Sequence, residues 1–331
     1  MKAQIIRSFG EPSVFQLEEI QKPEVLPGHV LIQVKATSVN PIDTKVRSGA
    51  VPAVAPEFPA VLHGDVAGIV TEVGEGVSGF KPGDEVFGCA GGFKGTGGAL
   101  AEFMLADAQL IAHKPKNLTM EEAAALPLVS ITAWEALFDR GQIKSGQDVL
   151  IHAAAGGVGH VAIQLAKWAG AKVYTTASSP EKLEIANRLG ADTVIHYREE
   201  SVQDYVQKYT NGKGFEVVFD TVGGENLDRS FEAAAVNGTV LAIAARSTHD
   251  LSLLHSKGLS LHVIFMLLKI INKDQRKHHG EILKKITRVV EEGKLHPLID
   301  PNIFTFDEVS KAHEYIESKK AIGKVVLKNT W

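Results

Sequence analysis

A single cysteine, Cys89, occurs in the 331 residues. That excludes an internal disulfide and any zinc lobe built from several cysteines. Tyrosine is scarce too: the first along the chain is Tyr174, so the first half can supply no tyrosine acid. Neither sign of charge is in excess, since 35 Lys and Arg face 39 Asp and Glu, a formal net of -4. Such a balance carries no electrostatic footprint for nucleic acid or an anionic membrane. Long apolar runs are also missing. The opening MKAQIIRSFGEPSVF lacks the continuous apolar stretch of a secretory signal. The most apolar later stretch, residues 259–271, contains His262 and Lys269 and is too short to span a bilayer. Cytoplasm is therefore the expected location, with neither membrane nor nucleic acid as a partner. What is present is the balance of a folded chain, 44% hydrophobic and 22% charged, at a length suited to two domains.

The pattern changes along the chain. Residues 30–35 and 68–73 are rich in β-branched side chains and end at Gly, Pro or Asn signals. Together with the glycine-rich GCAGGFKGTGGA they predict a compact, barrel-like β unit. From Thr119 onward, helical stretches alternate with apolar strands, which is the form of repeated βαβ units. Strands are expected at residues 148–152, 172–177, 216–220 and 239–243. Helices are expected at 158–169, at 180–189 with Pro180 in the first turn, and through 269–292. Residues 322–327 read as a strand returning to the first domain.

Between the strand at 148–152 and the helix that follows lies Ala154-Ala155-Gly156-Gly157-Val158-Gly159. Glycines let the backbone approach a pyrophosphate, and a helix N-terminus offers free N–H groups and a positive dipole end. The dinucleotide fingerprint is G-x-G-x-x-G; Ala154 stands at its first glycine, and Gly156 and Gly159 hold the other two. An NAD site places an acid about 20 residues further on, against the ribose 2′-hydroxyl. The sequence there is Thr175-Thr176-Ala177-Ser178-Ser179-Pro180-Glu181-Lys182, with no carboxylate at the strand end. Ser178 and Lys182 suit a 2′-phosphate instead, and Tyr197 and Arg198 can close the same pocket. NADPH is thus the expected cofactor.

With these residues in view, the whole chain resembles the medium-chain dehydrogenase/reductase superfamily, and within it the zinc-free quinone oxidoreductase branch. The likeness runs through Val39-Asn40-Pro41-Ile42-Asp43, Gly64-Asp65-Val66-Ala67-Gly68, Lys81-Pro82-Gly83-Asp84-Glu85-Val86, Leu126-Pro127, Thr132-Ala133-Trp134, the glycine turn, Asp220-Thr221-Val222-Gly223-Gly224 and Gly323-Lys324-Val325-Val326-Leu327. It implies an α/β chain: a GroES-like β-barrel catalytic domain, expected at residues 1–124 and 268–331, and a Rossmann doubly wound parallel sheet at 125–267. It further implies a cleft between them and a homodimer joined through the Rossmann sheets. Thr132 is placed by the resemblance near the nicotinamide, and Phe265 and Met266 in the loop over it. Gly323 and Lys324 are expected to approach the adenosine phosphates.

No metal is expected. Where the zinc alcohol dehydrogenases of this superfamily carry a metal-binding histidine, the same register places Gly64, with His63 one residue out. Without a metal, an alkoxide is hard to stabilise, whereas a quinone or an α,β-unsaturated ketone spreads the charge, so the expected substrate is a conjugated acceptor. Asn40 and Asp43, just after a strand, are the candidate polar groups, with Thr132. The position where many quinone reductases have tyrosine is Lys45, and Arg47-Ser48-Gly49 is followed by no tyrosine. These departures argue against an enoyl-thioester reductase and keep open an alternative, an NADPH-binding protein with an interaction or structural role.

Overall fold

In the computed structural model, which describes residues 1–331, the β-branched run becomes an 11-residue strand, β1 (His29–Val39). It is the spine of the first unit, residues 1–131 with 266–331. Here β1 pairs antiparallel with β2 (Asp65–Val73), with Phe103–Asp107 and with Val325–Lys328, so the C-terminal segment does return as a strand. Val30, Leu31, Ile32 and Val34 are all buried, because elements cover both faces of this strand. Gly68 is required within β2: a Cβ there would stand 2.2 Å from the Gln33 carbonyl of β1. The chain leaves β1 into α1 (Pro41–Ser48), whose first turn is set by Pro41 and by Asp43 accepting the Asn40 N–H at 2.7 Å.

The second unit, residues 132–265, is an all-parallel sheet. Its strands are β3 (Asp148–Ile151), β4 (Lys172–Ala177), β5 (Thr193–His196), β6 (Phe215–Asp220), β7 (Ala234–Ala242) and β8 (Ser260–Val263), in the order β5-β4-β3-β6-β7-β8. This is the Rossmann order, reversing direction between β3 and β6, where such sheets bind ligands at the carboxyl ends of their strands. Helices α2 (Gly157–Trp168), α3 (Pro180–Arg188) and α4 (Glu225–Ala233) lie among the crossovers.

Three features differ from the sequence expectation. The divisions between units fall at 131/132 and 265/266 rather than at 124/125 and 267/268; at the first of them, the Leu128 N–H is held by Asp65 of the first unit. Residues 260–263 form the outer strand β8, although their apolar pattern is interrupted by His262. The stretch 269–292 is not one helix: Asn272 is extended (ψ 101°), and only Arg276–Glu291 continues. No helix is long and apolar enough to cross a membrane.

Candidate active site

The turn after β3 is built tightly. An added Cβ on Gly159 would lie 2.1 Å from the Ala153 carbonyl oxygen, whereas on Gly156 it would lie 3.1 Å away. The left-handed residue of the turn is Ala153, at φ 59°, which no glycine signal announced. Ala154 can therefore replace the first glycine of the fingerprint: the strained position is its neighbour. Gly156 caps α2, and the amides of Gly157, Val158 and Gly159 precede the first intrahelical donor, the His160 N–H that bonds the Gly156 carbonyl at 3.1 Å, so they are left without an intrahelical acceptor at a positive helix end.

Around this turn lies a pocket of about 350 Å³ lined by Ala153, Thr176, Tyr197, Gly223, Asn226 and Arg229. Thr176 closes the end of β4, its hydroxyl taking the Ala153 N–H at 3.2 Å and contacting His152 Nδ1 at 3.1 Å. Burial pushes the His152 imidazole down to about 4, so it stays neutral. Asp220, fully buried at the end of β6, shapes the opposite wall. One of its oxygens accepts the Val222 and Gly223 N–H groups, and the other the Asn226 amide and the Ser230 hydroxyl, all within 2.7–2.9 Å. Asp220→Ala orphans four donors at once, and urea unfolding is expected to show a loss of about 3–5 kcal/mol.

Among the residues singled out in sequence, Tyr197 lines this pocket, 43% exposed. Ser178 and Lys182 are half-buried at the end of β4 and in the first turn of α3, beside Ser179, which caps that helix. Lys182 has no acid partner, since the nearby Glu181 forms no ion pair with it. Phe265 follows β8 and is 41% exposed, while Met266 is buried. Asn226 and Arg229 were missed. Their only signal was a position one to two turns past Asp220-Thr221-Val222-Gly223-Gly224.

In the first unit, Asn40, Asp43 and Lys324 meet around Asp65. The Asp65 carboxylate accepts the Ser38 hydroxyl, the Asn40 Nδ2 and the Leu128 N–H, each at 2.8 Å. The Lys324 ammonium lies 3.4 Å from Asp65 Oδ2 and also donates to Asn40 Oδ1. The expected contact of Lys324 with adenosine phosphates is replaced by these partners: its side chain is 3% exposed. Gly323, expected with it, is a turn residue at φ 68° whose added Cβ would meet the Leu298 carbonyl at 2.1 Å. Burial raises the Asp43 carboxyl to about 7. Nearby, His63 Nε2 lies 2.9 Å from Nε2 of His313, on α5 (Val309–Glu317), and its Nδ1 lies 3.4 Å from Thr37 Oγ1. Burial holds His63 down at about 3 and His313 well below the usual range. Thr132 is buried in the helix Pro127–Trp134.

Comparison with known proteins agrees with both units. The family described as alcohol dehydrogenase GroES-like domain matches residues 26–116, and that described as zinc-binding dehydrogenase matches residues 157–275. The chain is 37% identical to the 2-methylene-furan-3-one reductase of Solanum lycopersicum, over 99% of this chain and 79% of that protein. It is 36% identical, with the same coverage, to the chloroplastic NADPH-dependent alkenal/one oxidoreductase of Arabidopsis thaliana. Among solved structures, the Escherichia coli quinone oxidoreductase complexed with NADPH superposes with a TM-score of 0.88 at 29% identity, covering 99% of this chain and all of that one.

Proposed function

Because this chain belongs to the medium-chain dehydrogenase/reductase superfamily and is an oxidoreductase, we propose that it is an NADPH-dependent, zinc-independent reductase of conjugated carbonyls, enones and quinones. The observation that carries this reading is the end of β4, where Ser178 and an unpaired Lys182 stand in place of the acid that selects NAD. The amides of Gly157, Val158 and Gly159 suit the pyrophosphate, and Tyr197 suits the 2′-phosphate end. Phe265, exposed just after β8, is proposed as a contact of the nicotinamide end. NADPH supplies the hydride when bound; the chain orients it, excludes water and stabilises charge on the acceptor.

Zinc does not fit the donor set of the first unit. Gly64 has no side chain to offer, His63 Nε2 is engaged by His313, and the Asp65 carboxylate is filled by three donors and an ammonium. Without a metal, charge on the acceptor oxygen is best spread by conjugation, which favours enones and quinones over simple ketones. Asn40, Asp43 and Thr132 are the polar groups proposed to serve the acceptor. A homodimer joined through the Rossmann sheets belongs to the same reading: β8 is one of the two outer strands of this sheet, and its Val263 is 53% exposed.

Purified protein mixed with NADPH and a panel of enals, enones and quinones tests the activity by loss of NADPH absorbance. No turnover across the panel contradicts it and favours a cofactor-holding role. Lys182→Ala is expected to raise the NADPH dissociation constant about 10–100-fold, the worth of one charge-assisted contact, while NADH binding changes little. Equal weakening of both removes the 2′-phosphate assignment.

A further inference from the structure

The first unit buries two carboxylates and one ammonium around a single carboxamide. Asp65 is 0% exposed and Lys324 2%. A buried ion pair is a weak source of stability, because desolvation offsets most of the attraction, but it imposes orientation strongly. Here the orientation imposed is that of Asn40. Its Nδ2 donates to Asp65 Oδ2 at 2.8 Å and its Oδ1 accepts from Lys324, so a flipped carboxamide would set donor against ammonium and oxygen against carboxylate. The Asn40 backbone N–H is held by Asp43. The second oxygen of Asp65 takes the Leu128 N–H, in the first turn of the helix that carries Thr132. One carboxylate thus ties together the segments bearing all three proposed catalytic groups.

We propose that Asp65 and Lys324 are positioning residues of the reductase: a locked pair that fixes the Asn40 carboxamide, the N-terminus of α1 and the helix bearing Thr132. The proposal rests on the assignment of Asn40, Asp43 and Thr132 to the reaction. It also gives Lys324 a role distinct from phosphate binding.

The electrostatics provide a signature of the pair's placement beside Asp43 that is read without turnover, while a loss of kcat at unchanged NADPH affinity separates positioning from a merely structural role. The Asp43 carboxyl is faced by the backbone N–H and the carboxamide of Asn40, by Asp65 from β2, by Lys324 from the C-terminal segment, and by Cys89 from the strand Glu85–Cys89. Arg47, on the same helix, instead pairs with Glu317 of α5 at 2.5 Å and faces His313. Burial is the largest influence on Asp43; Asp65 raises its titration further and Lys324 lowers it. Removing the two partners must therefore displace the same titration in opposite directions.

The experiment compares wild type, Lys324→Met and Asp65→Asn by three readouts. These are the NADPH dissociation constant by fluorescence, kcat with an enone, and the Asp43 titration by carboxyl ¹³C NMR, assigned by the signal lost in Asp43→Asn. Both variants are expected to lower kcat about 100-fold, the effect of a misplacement of about 1 Å, with NADPH affinity changed less than about twofold. The Asp43 titration should move up in Lys324→Met and down in Asp65→Asn. Weakened NADPH binding with kcat retained would overturn the proposal in favour of a phosphate contact, and so would unchanged kcat or shifts of the same sign. Where Lys324→Met does not fold, the isosteric Asp65→Asn decides alone. A wild type without turnover defeats the reductase reading, whereas the NMR titration judges the pair independently of turnover.

Discussion

Gly159→Ala is expected to weaken NADPH binding by at least about 100-fold, near 3 kcal/mol. The reason lies in the backbone. The new methyl would stand 2.1 Å from the Ala153 carbonyl, and neither atom belongs to a flexible side chain, so the start of α2 has to move. The amides of the first turn move with it, and each hydrogen bond to a charged group contributes about 1.5–3 kcal/mol. Gly156→Ala is the internal comparison: its methyl meets the same oxygen at 3.1 Å, and a change below about tenfold is expected. Fluorescence titration of both variants, with far-UV dichroism to verify folding, separates the two. Equal effects would mean that the turn does not act through its geometry.

The second large effect concerns acid. His63, His152 and His313 are all held neutral by burial, with folded values below their ordinary one. Depressed histidines contribute stability that is fully present above about pH 6.5 and is lost as pH falls, because the unfolded chain takes the protons first. Asp43 has the opposite sign. Its folded value near 7 means that it keeps a proton the unfolded chain has released, so its contribution is present at low pH and is lost as pH rises toward 7. Three histidines outweigh one aspartate. As pH falls from about 6.5 the unfolded state therefore takes up the excess of protons, and stability should fall between pH 7 and 5, on the order of 1–3 kcal/mol per pH unit. Urea unfolding at pH 7, 6 and 5 measures this as a falling midpoint. A flat midpoint would show that these imidazoles are solvated or charged in the folded protein.

Much of the architecture was legible in sequence because it is local. The strand–turn–helix at 148–168 and the strand ending at Ala177 follow from hydrophobic period and glycine placement, and they carried the cofactor expectation. The return of Val325–Lys328 to the first unit was legible from its β-branched run and from the resemblance. What was not legible depends on partners remote in sequence. Lys324 looked like a phosphate contact because nothing near it in sequence reveals Asp65, 259 residues away. Asp65 itself appeared only as part of a recurring segment, although its carboxylate organises the first unit's polar core. The left-handed Ala153 was hidden because turn rules look for glycine there, and tertiary packing fixed the conformation instead. Arg229 and Asn226 were hidden for a simpler reason: a helix that follows a loop reveals its pocket-facing side only once the loop is folded by Asp220.

In the proposed reaction, a hydride from NADPH adds to the β-carbon of a conjugated carbonyl without a metal to activate the oxygen. Incubating the protein with NADPH deuterated at the transferable position and a simple α,β-unsaturated ketone, followed by mass spectrometry and NMR of the product, locates the transferred hydrogen. The predicted result is a saturated ketone with one deuterium on the β-carbon. An allylic alcohol with deuterium on the carbonyl carbon would contradict it.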